Sequence, residues 1–191
     1  MKTSLLLIDI QNDYFPGGRM PLEEPEVAGY HARQMLTAFR QAGLPIAHIQ
    51  HVATQPGATY FLPGTEGTAI HESVRPLPHE VVFQKQLPNS FRDTPLLPHL
   101  LEQQIHRLVI SGMMTHMCID ATVRAASDYG FECMIAHDAC ATKTLIQQGE
   151  SIPARKVHLA FLAALNGAYG KVMGTSEIAP LIWSEVGSRF D

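Results

Sequence analysis

HRLVISGMMTHMCIDATVRAASDYGFECMIAHDA, residues 106 to 139, is the stretch whose reading decides the fold. HRLVISG (106–112) is a short apolar run that stops at a glycine, which predicts a buried strand. CIDATVRAASDYG (118–130) carries Ala121, Val123, Ala125 and Ala126, broken by Asp120, Arg124 and Asp128, and predicts a helix. FECMIAHDA (131–139) is again a strand. Strand, helix, strand is a βαβ unit, and strands this continuously apolar are buried on both faces of a parallel sheet.

The alternation extends outward in both directions. SLLLIDI (4–10), PIAHIQHV (45–52), EVVFQK (80–85) and AYGKVMG (168–174) predict further strands. PEVAGYHARQMLTAFRQAG (25–43) predicts a helix with Val27, Tyr30, Met35, Leu36 and Phe39 on or near one face, closed by Gly43. TPLLPHLLEQQI (94–105) predicts a helix with Pro98 in its first turn, and IPARKVHLAFLAALNG (152–167) another. The last residues predict a helix packed on the sheet edge. The expectation is one α/β domain over residues 1–191, a three-layer α/β/α sandwich with a mostly parallel Rossmann-like sheet and helices on both faces. Residues 53 to 79 hold several Pro and Gly and predict a long loop, which in a compact domain is often functional.

A chain of 191 residues can bury a substantial core, and 46% apolar with 17% charged residues is ordinary for a globular domain. The net charge of −4 and the lack of a basic run argue against nucleic acid or an anionic membrane as partner. No apolar stretch reaches the roughly 18–20 residues that span a bilayer. In MKTSLLLIDIQNDY the apolar run is too short for a signal peptide, and Asp9 and Asp13 follow where a cleavage site should be, so a cytoplasmic protein is expected. Cys118, Cys133 and Cys140 are odd in number with no C-x-x-C spacing. That fits neither a disulfide framework nor a zinc knuckle, and suits a reducing compartment with one reactive thiol and two packed ones.

In an open α/β sheet the site lies at the carboxyl ends of the strands. Asp9 ends the first strand, Lys85 the third, and Cys118 opens the helix after the fourth. A thiolate is a far better nucleophile than a thiol, and a helix N-terminus with a nearby cation lowers the thiol pKa. Lys85 can be that cation, and Asp9 can orient Lys85 or accept the thiol proton. Amides of the 112–118 loop can hold an oxyanion. Placement alone leaves open the plainer alternative, a packed structural cysteine.

DIQNDYFPGG (9–18), the Lys85 strand end and GMMTHMCIDATVRAASDYGF (112–131) resemble, in order over the chain to about residue 175, the isochorismatase-like cysteine hydrolases. That family includes nicotinamidases, N-carbamoyl amide hydrolases and isochorismatases. The resemblance implies a three-layer α/β fold, an Asp9–Lys85–Cys118 triad, a cis peptide at Met113–Met114, and an oxyanion hole from the amides of Met114 and Cys118. Nicotinamidases carry an Asp-x-His pair after the second strand and bind a metal. Here that strand reads AHIQHV, with Gln50 about where the Asp should stand, and no carboxylate joins His48, His51 and His71 at ligand spacing. No metal and no other cofactor is therefore expected.

Asn12, Asp13 and Tyr14 are expected to shape the turn after the first strand, with Tyr14 a pocket wall. FLPGTEGTAIH (61–71) is expected over the site or against a second subunit. Asn89, Ser90 and Phe91 line the pocket or form a simple turn, and Asp138 is a cap rather than a catalyst. GAYGKV (167–172) fails the P-loop pattern, with Leu165 and Val172 at key positions, and no G-x-G-x-x-G occurs. The expected function is thiolate attack on a small amide or carbamoyl carbonyl, then hydrolysis of the thioester. The alternatives are vinyl-ether hydrolysis, a sensor-thiol or ligand-binding protein, and a catalytically silent subunit. The expected partners are a small-molecule substrate and further copies of the chain.

Overall fold

A computed structural model of the chain describes residues 1–187. Its core is a six-stranded sheet in the order β3-β2-β1-β4-β5-β8, every pairing parallel. The strands are β1 (Thr3–Ile8), β2 (Ile46–His51), β3 (Val81–Lys85), β4 (Arg107–Met113), β5 (Glu132–Ala141) and β8 (Lys171–Met173). The helices are α1 (Pro25–Gln41), α2 (Leu96–Glu102), α3 (Asp120–Asp128), α4 (Ala154–Leu165) and α5 (Thr175–Gly187). Pro98 falls in the first turn of α2, where a missing N–H costs nothing.

The layers follow from the two-residue period of a strand. Leu5 and Leu7 of β1 pack with Val109 of β4 and Met134 of β5 under Met35, Leu36 and Phe39 of α1 and Ile178 and Ile182 of α5. The alternate residues Leu6 and Ile8, with Leu108, Ile110 and Ile135, pack under Leu100 of α2, Val123 and Ala126 of α3, and Leu162 and Leu165 of α4. Every residue of β1 is buried, as a central strand of a doubly covered sheet must be. Each such leucine contributes about 1.5–3 kcal/mol of hydrophobic stabilisation.

Three expectations shift. On α1 the buried face is Ala28, Gly29, Ala32, Met35, Leu36 and Phe39, while Val27 and Tyr30 are exposed. Small residues are needed there because Gly29 lies against Phe15 and Ser73, where a Cβ would already be tight. The C-terminal helix packs on both α1 and β5, one strand in from the sheet edge, through Ile178 and Ile182. Residues 145–152, where no strand was expected, form a two-stranded hairpin of β6 (Leu145–Gln147) and β7 (Glu150–Ile152). The final residues 188–191 of the expected domain lie outside the described residues. No helix among the described residues is long and apolar enough to cross a membrane.

The strand order reverses direction between β1 and β4. In such sheets that switch point, at the carboxyl ends of the strands, opens the crevice where ligands bind. β4 passes β1 there through Gly112, whose φ of +136° and approach to the Ile8 carbonyl leave no room for a Cβ.

Candidate active site

Four strand ends deliver the site. Asp9 follows β1 in a left-handed conformation, φ 52°, which Asp tolerates better than most residues and which turns the chain sharply. Its amide donates to the Ile49 carbonyl at 3.0 Å, so the turn is tied to β2. Lys85 ends β3 and is in register with His51, which ends β2. Cys118 lies beyond β4 in a wide helical turn, Thr115–Ile119, that runs straight into α3. The Ile119 amide reaches back five residues to the Met114 carbonyl at 3.2 Å, the i→i+5 spacing often found where a helix serves a site. The Met113–Met114 peptide is cis, as the resemblance implied.

These pieces converge on one ammonium. Lys85 Nζ lies 2.6 Å from Asp9 Oδ2, 3.3 Å from Cys118 Sγ and 3.1 Å from His51 Nδ1. Asp9, Lys85 and Cys118 are buried and His51 half-buried. The Asp9–Lys85 contact is a short buried ion pair, and the Cys118 thiol lies within reach of the same carboxylate. Asp9 thus stands in a water-poor pocket next to a thiol, the condition for a proton acceptor.

The thiol departs from the expectation of a lowered pKa. Burial pushes the Cys118 pKa up, and the Asp9 charge raises it further, while Lys85 only partly opposes them. The resting thiol therefore keeps its proton. Burial pulls the Lys85 pKa down, but the Asp9 charge outweighs it and the ammonium persists. Burial pushes Cys133 and Cys140 to about 12, with no cation against them, and both are packed as expected.

His48, His51 and His71 do not come together in the structure. His48 pairs with Glu80 at 3.0 Å on the α1 side of β2, and His71 stacks on Phe15 at 3.6 Å between ring centroids. Only His51 reaches the site. Its ring, the Asp9 carboxylate and the Cys118 thiol bring one ligand atom each to within 4.8 Å of one another, a spacing that could suit a metal. A divalent cation there would collide with the Lys85 ammonium, which already contacts all three, so the donor set does not fit a metal while Lys85 is charged.

The residues of DIQND hold the roof. The Gln11 side chain accepts from the His51 amide at 2.7 Å and donates to the His51 carbonyl at 2.9 Å and the Thr68 carbonyl at 2.8 Å. It does for the end of β2 what a neighbouring strand would do. Asp13 accepts from the amides of Phe61 at 2.6 Å and Arg19 at 3.1 Å, and Gly67 approaches it too closely for any larger residue. The 53–79 loop is thereby folded over the site. Tyr14, Tyr60 and Phe61 meet as an aromatic cluster, with Tyr14 and Phe61 edge-on at 4.6 Å. Burial, helped by the Asp9 charge, raises the pKa of Tyr14 well above and that of Tyr60 above the usual tyrosine value, so both hydroxyls stay protonated beside the thiol.

One expected pocket residue lies elsewhere. Phe91 is buried against Tyr129 and Phe131 at the far end of α3, because the chain runs down α3 after Lys85. Asn89 accepts from the Phe91 amide at 2.9 Å and closes a local turn. Asp138 accepts from the Thr175 amide at 2.9 Å and caps α5. A cavity of about 500 Å³ lies nearby between α1, the end of β5 and α4, lined by Glu23, His137, Asp138, Arg155 and His158. Cys140 lines it too, but burial pushes the pKa of that thiol to about 12 with no cation set against it, unlike Cys118 beside Lys85. His51, Gln11 and Tyr60 are the site residues that sequence reading missed; His51 had been weighed only as a metal ligand.

Comparison with known proteins agrees with this fold. The family model of the isochorismatase domain matches residues 3–177. The isochorismatase-family protein YddQ of Bacillus subtilis is 52% identical over 175 residues, 92% of this chain and 97% of that protein. Maleamate amidohydrolase of Pseudomonas putida is 29% identical over 152 residues, 72% of this chain and 71% of that protein. The crystal structure of an isochorismatase-family hydrolase from Oleispira antarctica superposes with a TM-score of 0.90 at 48% identity, covering 94% of this chain and 96% of that one.

Proposed function

Because the chain belongs to the isochorismatase family of hydrolases, we propose that it cleaves the C–N bond of a small amide or carbamoyl compound with Cys118 as nucleophile. The observation that carries this reading is the buried convergence of the Asp9 carboxylate and the Cys118 thiol on the Lys85 ammonium.

The resting state is a thiol, a carboxylate and an ammonium. As sulfur bonds to the substrate carbonyl carbon, the thiol proton passes to Asp9, and Lys85 stabilises the developing sulfur charge. The carbonyl oxygen takes up negative charge and is held by the amides of Met114 and Cys118. The C–N bond then breaks, the nitrogen takes the proton from Asp9, and ammonia or an amine leaves a thioester on Cys118. Water attacks the thioester, giving a proton to Asp9. The acid departs, and the proton returns to sulfur. The electrostatics favour this order, because a thiol raised by burial needs a base at the moment of attack.

The Lys85 ammonium supports a reaction without a metal. Three free cysteines support a reducing, cytoplasmic setting. Exposed Ile146 on the hairpin and Leu159 on α4 support self-association as a dimer or larger. A panel of small primary amides and N-carbamoyl compounds assayed for ammonia release tests the reading. Turnover of a panel member, lost in Cys118→Ala, supports it. Release of a carbonyl compound from a vinyl ether, with no ammonia from any amide, would replace it.

A further inference from the structure

A lysine ammonium has three N–H donors and no acceptor. In this site each donor has a partner: the Asp9 carboxylate, the Cys118 sulfur and His51 Nδ1. The first two belong to the proposed reaction, and the third has no part in it. His51 is nonetheless held with care. Gln11 fixes its amide and carbonyl, Phe61 packs on its ring at 5.8 Å between centroids, and its strand register sets it directly beside Lys85.

We propose that His51 is a positioning residue, whose Nδ1 accepts the third proton of the Lys85 ammonium and so leaves the other two aimed at Asp9 and Cys118. Lys85 cannot accept, so Nδ1 must, and the ring proton then sits on Nε2. The ring has to be neutral to do this. Burial, and then the Lys85 charge, lower the His51 pKa, while Asp9 opposes them. The charged and titratable groups around the ring are Lys85 from β3, Asp9 after β1 and Cys118 from the turn before α3.

The arrangement has a purpose in a closed pocket. Lys85 comes from the edge strand and must reach past β2 to the switch point. A long side chain with one free donor could rotate so that two donors serve Asp9 and none serves sulfur. An acceptor behind the ammonium removes that freedom. The role needs an acceptor at the Nδ1 position rather than an imidazole as such, so an Asn side chain, whose Oδ1 falls near Nδ1, should serve where Leu cannot.

This inference rests on the hydrolytic reading above, and its test separates the two. Cys118 alkylation by iodoacetamide is followed against pH in wild type, His51→Leu, His51→Asn, Lys85→Met and His51→Leu/Lys85→Met, with thermal unfolding recorded for each. His51→Leu should slow Cys118 alkylation near pH 8 by about tenfold, the effect of raising the thiol pKa by about one unit when a nearby cation is less well placed. His51→Asn should recover to within about threefold of wild type. In the Lys85→Met background His51→Leu should change nothing further, because its effect runs through Lys85. Equal loss in His51→Leu and His51→Asn, no loss in either, or a His51→Leu effect that persists without Lys85 would each overturn the proposal. If His51→Leu does not fold, His51→Ala takes its place in the same comparison. Failure of Lys85→Met alone to alter Cys118 would instead sink the triad reading.

Discussion

Lys85 Nζ stands 2.6 Å from Asp9 Oδ2 with both side chains shut away from solvent. A buried ion pair is a weak source of net stability, but breaking one by removing a single partner leaves an uncompensated charge in a low-dielectric pocket. Lys85→Met should therefore cost about 3–5 kcal/mol of stability as well as activity. Asp9→Asn/Lys85→Met should recover much of the stability and none of the activity. Denaturant unfolding of both variants checks this, and equal stability for the two would mean that the pair is not buried as described.

The thiol gives a pH prediction. Its pKa is raised by burial and by Asp9, so little thiolate exists in the resting protein near neutrality. The rate of Cys118 alkylation should keep climbing from pH 7 to beyond pH 9. A plateau below pH 7 would show a resting thiolate and remove the need for Asp9 as a base.

Away from the site, Glu80 ties His48 and Arg40 together, accepting from Arg40 Nε at 2.7 Å and pairing with His48 Nε2 at 3.0 Å. Burial alone would raise its pKa, but hydrogen bonds from Arg40, the Leu77 amide and His48 bring it down to about 2. A depressed carboxylate stabilises the fold above its unfolded pKa, and that contribution is lost as pH falls through the folded value. Glu80→Gln should cost about 2–3 kcal/mol near pH 7. The gap to wild type should narrow between about pH 4.5 and 2, the interval between the two pKa values. Urea titrations at pH 7, 4 and 3 measure it; a constant gap would contradict the assignment.

Gln11→Ala removes both bonds that fix the end of β2 and leaves the His51 amide without its acceptor. A loss of about 1–3 kcal/mol is expected for that buried donor. Cleavage within the exposed 54–59 stretch should quicken in limited proteolysis, since Gln11 also holds Thr68 of the same loop. Unchanged cleavage would mean that Asp13 alone secures the roof.

The sheet was legible because its strands are apolar without interruption, and the helices because apolar residues recur along them and glycines such as Gly43 and Gly130 follow them. The β6–β7 hairpin was not, because its turn is Gln148-Gly149, both at positive φ, where Asn-Gly or Asp-Gly would have been the recognisable signal. Asp9, Lys85 and Cys118 could be placed at the strand ends from sequence, and the structure brings them together. His51 was visible as a strand-end residue, but its partner was not, since the reach of Lys85 across β2 depends on register and packing. Asn89 and Phe91 were assigned by nearness in sequence to Lys85, yet the chain carries Phe91 away along α3. The thiol pKa was misjudged because sequence shows a nearby cation but not how completely burial outweighs it.

The central claim is that Cys118 carries the acyl group. Rapid quenching during turnover of an amide substrate, followed by intact-mass measurement and peptide mapping, tests it most directly. The account predicts a transient mass increase equal to the acyl fragment, located on Cys118, and neither adduct nor ammonia release in Cys118→Ala. Undiminished ammonia release from Cys118→Ala would contradict it.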